Sequence, residues 1–174
     1  MYSAWLLEFL LPTRVSPVHD PVRELTEAGM PYRDLFRAAA GVSGLAFLLS
    51  GPPLVRLAPV HWTARLSAAS VSLLGILLLV GVAYPGIAGI DLLINLAFVA
   101  GAGSLVLWWP QGWRQIAIAG LVMVLATWLA MLVLMLLGPG HFIGIVSRVQ
   151  MLGRALLLAI GASYLFRGEL ARSP

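Results

Sequence analysis

The chain has no cysteine and no lysine, and it carries very little charge of either sign. Without cysteine there are no disulfides, no thiolate nucleophile, no thiolate metal site and no covalent c-type haem. Without lysine there is no Walker-type phosphate loop, no Schiff-base chemistry and no lysine general base. Charged residues make up 10% of the 174 positions while hydrophobic ones make up 60%, against about a quarter and roughly half in soluble domains. So few charges could not cover the apolar surface in water. A lipid solvent resolves the imbalance.

What charge there is falls in a pattern. All 11 basic residues are arginine, and the net charge is +4. They are spread along the chain rather than clustered on one surface, so a nucleic-acid partner is not expected. Arginines beside apolar segments fit membrane orientation and headgroup contact.

Five apolar runs follow one another, near Leu35–Leu57, Leu66–Tyr84, Ala88–Trp108, Trp113–Leu137 and Phe142–Phe166. Each approaches or exceeds the ~20 residues that cross a hydrocarbon core at 1.5 Å per residue. Pro52-Pro53 removes two backbone donors and should kink or end the first helix. The links are short and rich in proline and glycine, which makes neighbouring helices antiparallel. The expected fold is therefore all-α, a polytopic integral membrane bundle of about five transmembrane helices. No internal repeat is visible.

Residues 1–34 differ from residues 35–174, which hold the bundle. Met1–Leu11 is apolar but too short to span and contains Glu8, which suits an interfacial or partial helix ended by Pro12. From Thr13 to Asp34 the chain is polar. Within it Asp20 is placed to cap a short helix that starts at Pro21 and stops at Gly29. Five of the seven acidic residues precede position 35.

Orientation follows from the arginines. Arg56, Arg65, Arg114, Arg167 and Arg172 fall on one side, whereas the loops Tyr84–Ile87 and Gly138–His141 hold no basic residue. The positive-inside rule then puts the C-terminus in the cytoplasm and the N-terminal segment on the outer face of the cell membrane. Arg14, Arg23, Arg33 and Arg37 temper that assignment, but acidic residues outnumber them there.

Ser16-Pro17-Val18-His19-Asp20-Pro21-Val22-Arg23-Glu24-Leu25, with Gly29-Met30-Pro31 and Leu35-Phe36-Arg37 behind it, resembles a known family. It is similar to the prokaryotic multi-pass membrane proteins grouped as domain-of-unknown-function family nine-nine-eight. Tyr84-Pro85 with Asp91, and Gly144-Ile-Val-Ser-Arg148-Val149, agree with that pattern. The resemblance implies architecture and no activity. Members usually open with a full spanning helix, shortened here to Met1–Leu11. They often carry a histidine where this chain has Asp91 and Asn95.

Ionisable groups inside apolar runs are the candidate functional residues, because lipid penalises them unless they are paired or hydrated. Arg148 and Asp91 lie at similar depth on the outer side, which predicts an ion pair, either a structural clamp or part of a site. Arg154 lies near mid-membrane and shares a helical face with Ser147 and Gln150. It would contact an anionic headgroup or substrate, or be satisfied by carbonyls and Asn95. Asp91 and Asn95, four residues apart, share a face as well.

His19, Asp20, Glu24, Asp91 and His141 are all expected at the outer surface, where they form a possible polar site. They show no metal-ligand spacing, so neither a metal nor another cofactor is expected. Membrane lipids and other membrane subunits are the expected partners. Three functions stay open: a non-enzymatic membrane subunit or lipid-binding bundle, a membrane-embedded enzyme acting on lipid at the outer face, and a small transporter.

Overall fold

The computed structural model of the chain describes residues 4–13, 15–27, 29–87, 89–138 and 142–170, with side chains from 6 to 164 within them. Two short 3-10 turns, Ala4–Phe9 and Val22–Thr26, precede five long helices: α1 Arg33–Leu57, α2 Trp62–Ala83, α3 Ile90–Trp108, α4 Gln111–Leu137 and α5 Ile143–Leu170. All five are long and apolar enough to cross a membrane. The protein is a polytopic helical bundle, with no strand among the described residues.

Two helices start ahead of their apolar runs. α2 begins at Trp62 and α4 at Gln111, ahead of the apolar runs. The first helical bonds, Arg65 N to His61 O at 3.1 Å and Arg114 N to Pro110 O at 2.8 Å, take in polar residues. Hydropathy marks the lipid-embedded length, whereas a helix continues through the headgroup layer to satisfy its own backbone. α1 runs through Pro52 and Pro53 to Leu57, so the prolines do not end it. Ser50 Oγ donates to Phe47 O at 3.0 Å in the turn before them.

The segment before α1 also corrects an expectation. Pro21, not Asp20, occupies the N-cap position of Val22–Thr26, which is a 3-10 turn without a side-chain cap. Asp20 turns back instead, and its carboxylate accepts from Ser16 N at 2.7 Å. Five residues give too few i,i+4 bonds for an α-helix, and 3-10 geometry is the usual outcome for so short a piece.

Extensive helix–helix contact is confined to sequence neighbours, α1 on α2 through to α4 on α5. Lipid offers no hydrophobic drive between helices, so close approach depends on small residues. At Gly75 of α2 an added Cβ would stand 2.5 Å from Leu48 N and 2.6 Å from Gly44 O of α1. The central core gathers Leu74, Ala97, Phe98, Ala102, Val124 and Leu157 from α2 to α5. A second cluster, Val15, Val22, Leu25 and Phe36, backed by Leu11, Met30 and Met151, fastens the N-terminal segment to one end of the bundle. We call that end the cap face and the opposite one, with the α1–α2 and α3–α4 links, the distal face.

Candidate functional site

The cap is built on the first two turns of α5. Arg148 Nε and Nη2 donate to Glu8 Oε1 and Oε2 at 2.5 and 2.6 Å, a bidentate pair. Its Nη1 donates to Asp20 O at 3.0 Å and Gly144 O at 2.9 Å. Ser147 Oγ accepts from Val22 N at 3.3 Å. Gly144 lets the loop come down: a Cβ there would lie 2.6 Å from Pro17 O and 2.7 Å from Asp20 O. One guanidinium thus gathers both parts of the N-terminal segment onto α5.

The expected Asp91–Arg148 pair does not form. Asp91 instead pairs with Arg23 at 2.7 Å, and those side chains are 51% and 54% exposed for Arg23 and Asp91, against 7% and 0% for Arg148 and Glu8. The dry pair is the one that matters energetically. An exposed ion pair contributes about 0–1 kcal/mol, whereas removing one member of a buried pair costs about 3–5 kcal/mol.

The group expected at the outer surface is only partly assembled. His19 stacks on Phe142, centroids 6.3 Å apart, and its Nδ1 lies 3.2 Å from Ser16 Oγ. Among the described residues no hydrogen bond or ion pair joins His19 to Glu24 or Asp91. The carboxylates of Asp20 and Asp91 are held by Ser16 and Arg23. Burial, then the nearby charges of Asp20 and Glu27, hold the Glu24 carboxyl above its ordinary range. His141 lies outside the described residues. No group of three or more potential metal ligands occurs among them.

Deeper in, Asn95 joins α3 to α5. Its Oδ1 accepts from Gln150 Nε2 at 3.4 Å and from Arg154 Nη2. Its Nδ2 donates to Asp91 O at 2.8 Å. All three side chains are buried. Helical side chains tilt toward their own N-terminus, which carries the Arg154 head toward the cap face and onto Asn95. The guanidinium also lies 5.7 Å from the centre of the Phe98 ring, a cation–π distance. Asn95 is thus the contact expected of a packing arginine.

Below Phe98 the helices do not close. A cavity of about 230 Å³ lies between α1, α2, α3 and α5 in the distal half. On α2 its wall runs from Ala64 to Leu74 and on α3 from Phe98 to Trp108, a rise of ten residue steps each. At 1.5 Å per residue that is ~15 Å, half of a ~30 Å hydrocarbon core. α1 and α5, the two ends of the bundle order, both line it. The lining is overwhelmingly apolar. Its hydroxyls, on Ser50, Ser67 and Ser70, all donate to carbonyls of their own helices. At the distal end Trp108, Trp109, Trp113 and Tyr164 form a cluster with centroids 5.1–6.3 Å apart, edge-to-face except for the tilted Trp109–Tyr164 pair.

Neither Glu8 nor the cavity stood out from sequence. Glu8 was signalled only as the lone acid in an apolar stretch. The cavity was signalled by small residues at Ser67, Ser70 and Gly101, which equally well serve helix packing; Gly101 does pack against Ser70, whose Oγ a Cβ would meet at 2.1 Å.

Fold and site together define a five-helix membrane bundle with a polar cap at one end and a one-leaflet apolar cavity at the other. The chain matches no known protein family, curated protein or solved structure.

Proposed function

We propose that the chain is a non-enzymatic, lipid-binding membrane bundle that holds one acyl chain in the cavity between α1 and α5. The cavity carries this assignment: it is apolar, one leaflet deep, and begins at an aromatic cluster of the kind that sits at headgroup level. The distal face is the cytoplasmic one in this account, by the positive-inside rule, and the cap lies outside. The resemblance to the family of unknown function stands beside it as a proposal about architecture.

An outer-face lipid enzyme draws less support. Catalysis there needs groups free to exchange protons with substrate, and the carboxylates of Asp20 and Asp91 are engaged in holding the cap. A transporter draws less still, with no internal repeat visible and few carboxylates inside the spanning segments.

Native mass spectrometry of the protein extracted from membranes tests lipid binding. Wild type should retain one lipid per chain. Ala162→Trp, which fills the cavity from α5, should lose it while keeping its helical content. Equal lipid retention by the two would refute the assignment.

A further inference from the structure

Two adjacent indoles close the distal end of the cavity, and they differ in one respect. Trp108 Nε1 donates to Ser67 Oγ at 3.3 Å. Trp109, only 4% exposed, has a buried Nε1 with no acceptor among the described residues. Buried tryptophan N–H groups ordinarily find a partner, and one that does not calls for a physical reason. Every other polar side chain of the cavity wall is hydrogen-bonded. The single unmet donor stands at the level where a lipid chain joins its polar head.

Among the described side chains, the charge around that end has one sign. Arg56 lies in the last turn of α1, between the lining residues Leu54 and Ala58, and Arg65 follows the lining residue Ala64 in α2. Both are exposed, and neither makes an ion pair among the described residues. The described acidic side chains, Glu8, Asp20, Glu24, Glu27, Asp34 and Asp91, belong to the cap half of the molecule. An anion arriving at the distal end therefore meets guanidinium groups and no described carboxylate.

We infer that the lipid held in the cavity is an anionic phospholipid of the distal leaflet. Its chain runs from Trp109 toward Phe98, a head-proximal ester or phosphate oxygen accepts from Trp109 Nε1, and its phosphate faces Arg56 and Arg65. This rests on the lipid-binding assignment and adds the class of lipid and the groups that select it. A zwitterionic lipid would offer the same chain and the same ester. Selectivity then resides in the two arginines, and affinity in the chain together with the indole donor.

The test is lipid titration by native mass spectrometry in detergent, adding phosphatidylglycerol or phosphatidylcholine of matched chains. Wild type should bind one phosphatidylglycerol in preference to phosphatidylcholine. Trp109→Phe keeps a ring and removes the donor; it should weaken phosphatidylglycerol binding by up to about tenfold, as loss of one hydrogen bond does. The double variant Arg56→Gln/Arg65→Gln keeps Trp109 and should bind both lipids alike. Should Trp109→Phe fold poorly, the arginine variant still decides the matter. Equal wild-type affinity for the two lipids, or unchanged selectivity in the double arginine variant, overturns the inference. If Ala162→Trp binds both lipids as wild type does, the cavity is not the site and the lipid-binding assignment falls as well. If Ala162→Trp abolishes binding while selectivity and Trp109→Phe behave contrary to expectation, only the headgroup inference falls. Retention of detergent alone in the cavity, with neither lipid displacing it, would overturn both.

Discussion

Replacing Glu8 by glutamine removes the charge that Arg148 faces while preserving side-chain size. In the folded protein Glu8 is 0% exposed and Arg148 7%, so water cannot replace the lost carboxylate. The guanidinium would keep the carbonyls of Asp20 and Gly144, which accept hydrogen bonds but bring no compensating charge. The expected loss is therefore about 3–5 kcal/mol, shifting the population of released cap by about two to three and a half orders of magnitude. Asp91→Asn breaks a half-exposed pair and should cost about 0–1 kcal/mol. Unfolding in detergent would be followed for wild type, Glu8→Gln, Arg148→Met, their double variant and Asp91→Asn, with tryptic cleavage at Arg23 reporting the cap. The double variant should lose less than the sum of the single ones, because the second substitution removes an ion already unpaired. Strict additivity, or an Asp91→Asn loss as large as that of Glu8→Gln, would refute this account of the cap.

Three further outcomes follow from the geometry. Gly144→Ala places a methyl within 2.6–2.7 Å of the Pro17 and Asp20 carbonyls, so cleavage at Arg23 should accelerate while helical content by circular dichroism stays unchanged. Asn95→Ala removes the side-chain oxygen that Gln150 and Arg154 share and should lower stability by about 1–3 kcal/mol in a detergent melt, with the cap still protected from protease. Glu24 has its pKa raised from 4.5 by burial, Asp20 and Glu27. The folded state thus binds more protons than the unfolded one just above that value, and stability falls as pH rises through the raised pKa. Glu24→Gln should accordingly raise Tm at pH 7 and make little difference below pH ~4.

The crossings were legible because spanning lipid demands an uninterrupted apolar length, a property of local sequence alone. Arg148 and Arg154 were legible as residues needing partners for the same reason. The partner of Arg154, Asn95, was among those named; that of Arg148 was not. Depth along the membrane normal is readable from residue count, and it matched Arg148 with Asp91. The lateral positions of helices are not readable that way, and they put Glu8, 140 residues away, against Arg148 and Arg23 against Asp91. Burial separates the two solutions, and burial is a property of packing. The cavity is further still from sequence, since it is volume that side chains of four helices leave unfilled. The small residues that edge it, Ala64, Ala68 and Ala102, read identically where helices touch.

A structure determined by electron cryomicroscopy in nanodiscs containing phosphatidylglycerol tests the central claim most directly. The account predicts continuous acyl-chain density between α1 and α5, running from Phe98 to Trp109 with the polar head level with Arg56 and Arg65. A cavity collapsed by inward movement of α1 onto α5, or filled by ordered water, would contradict it.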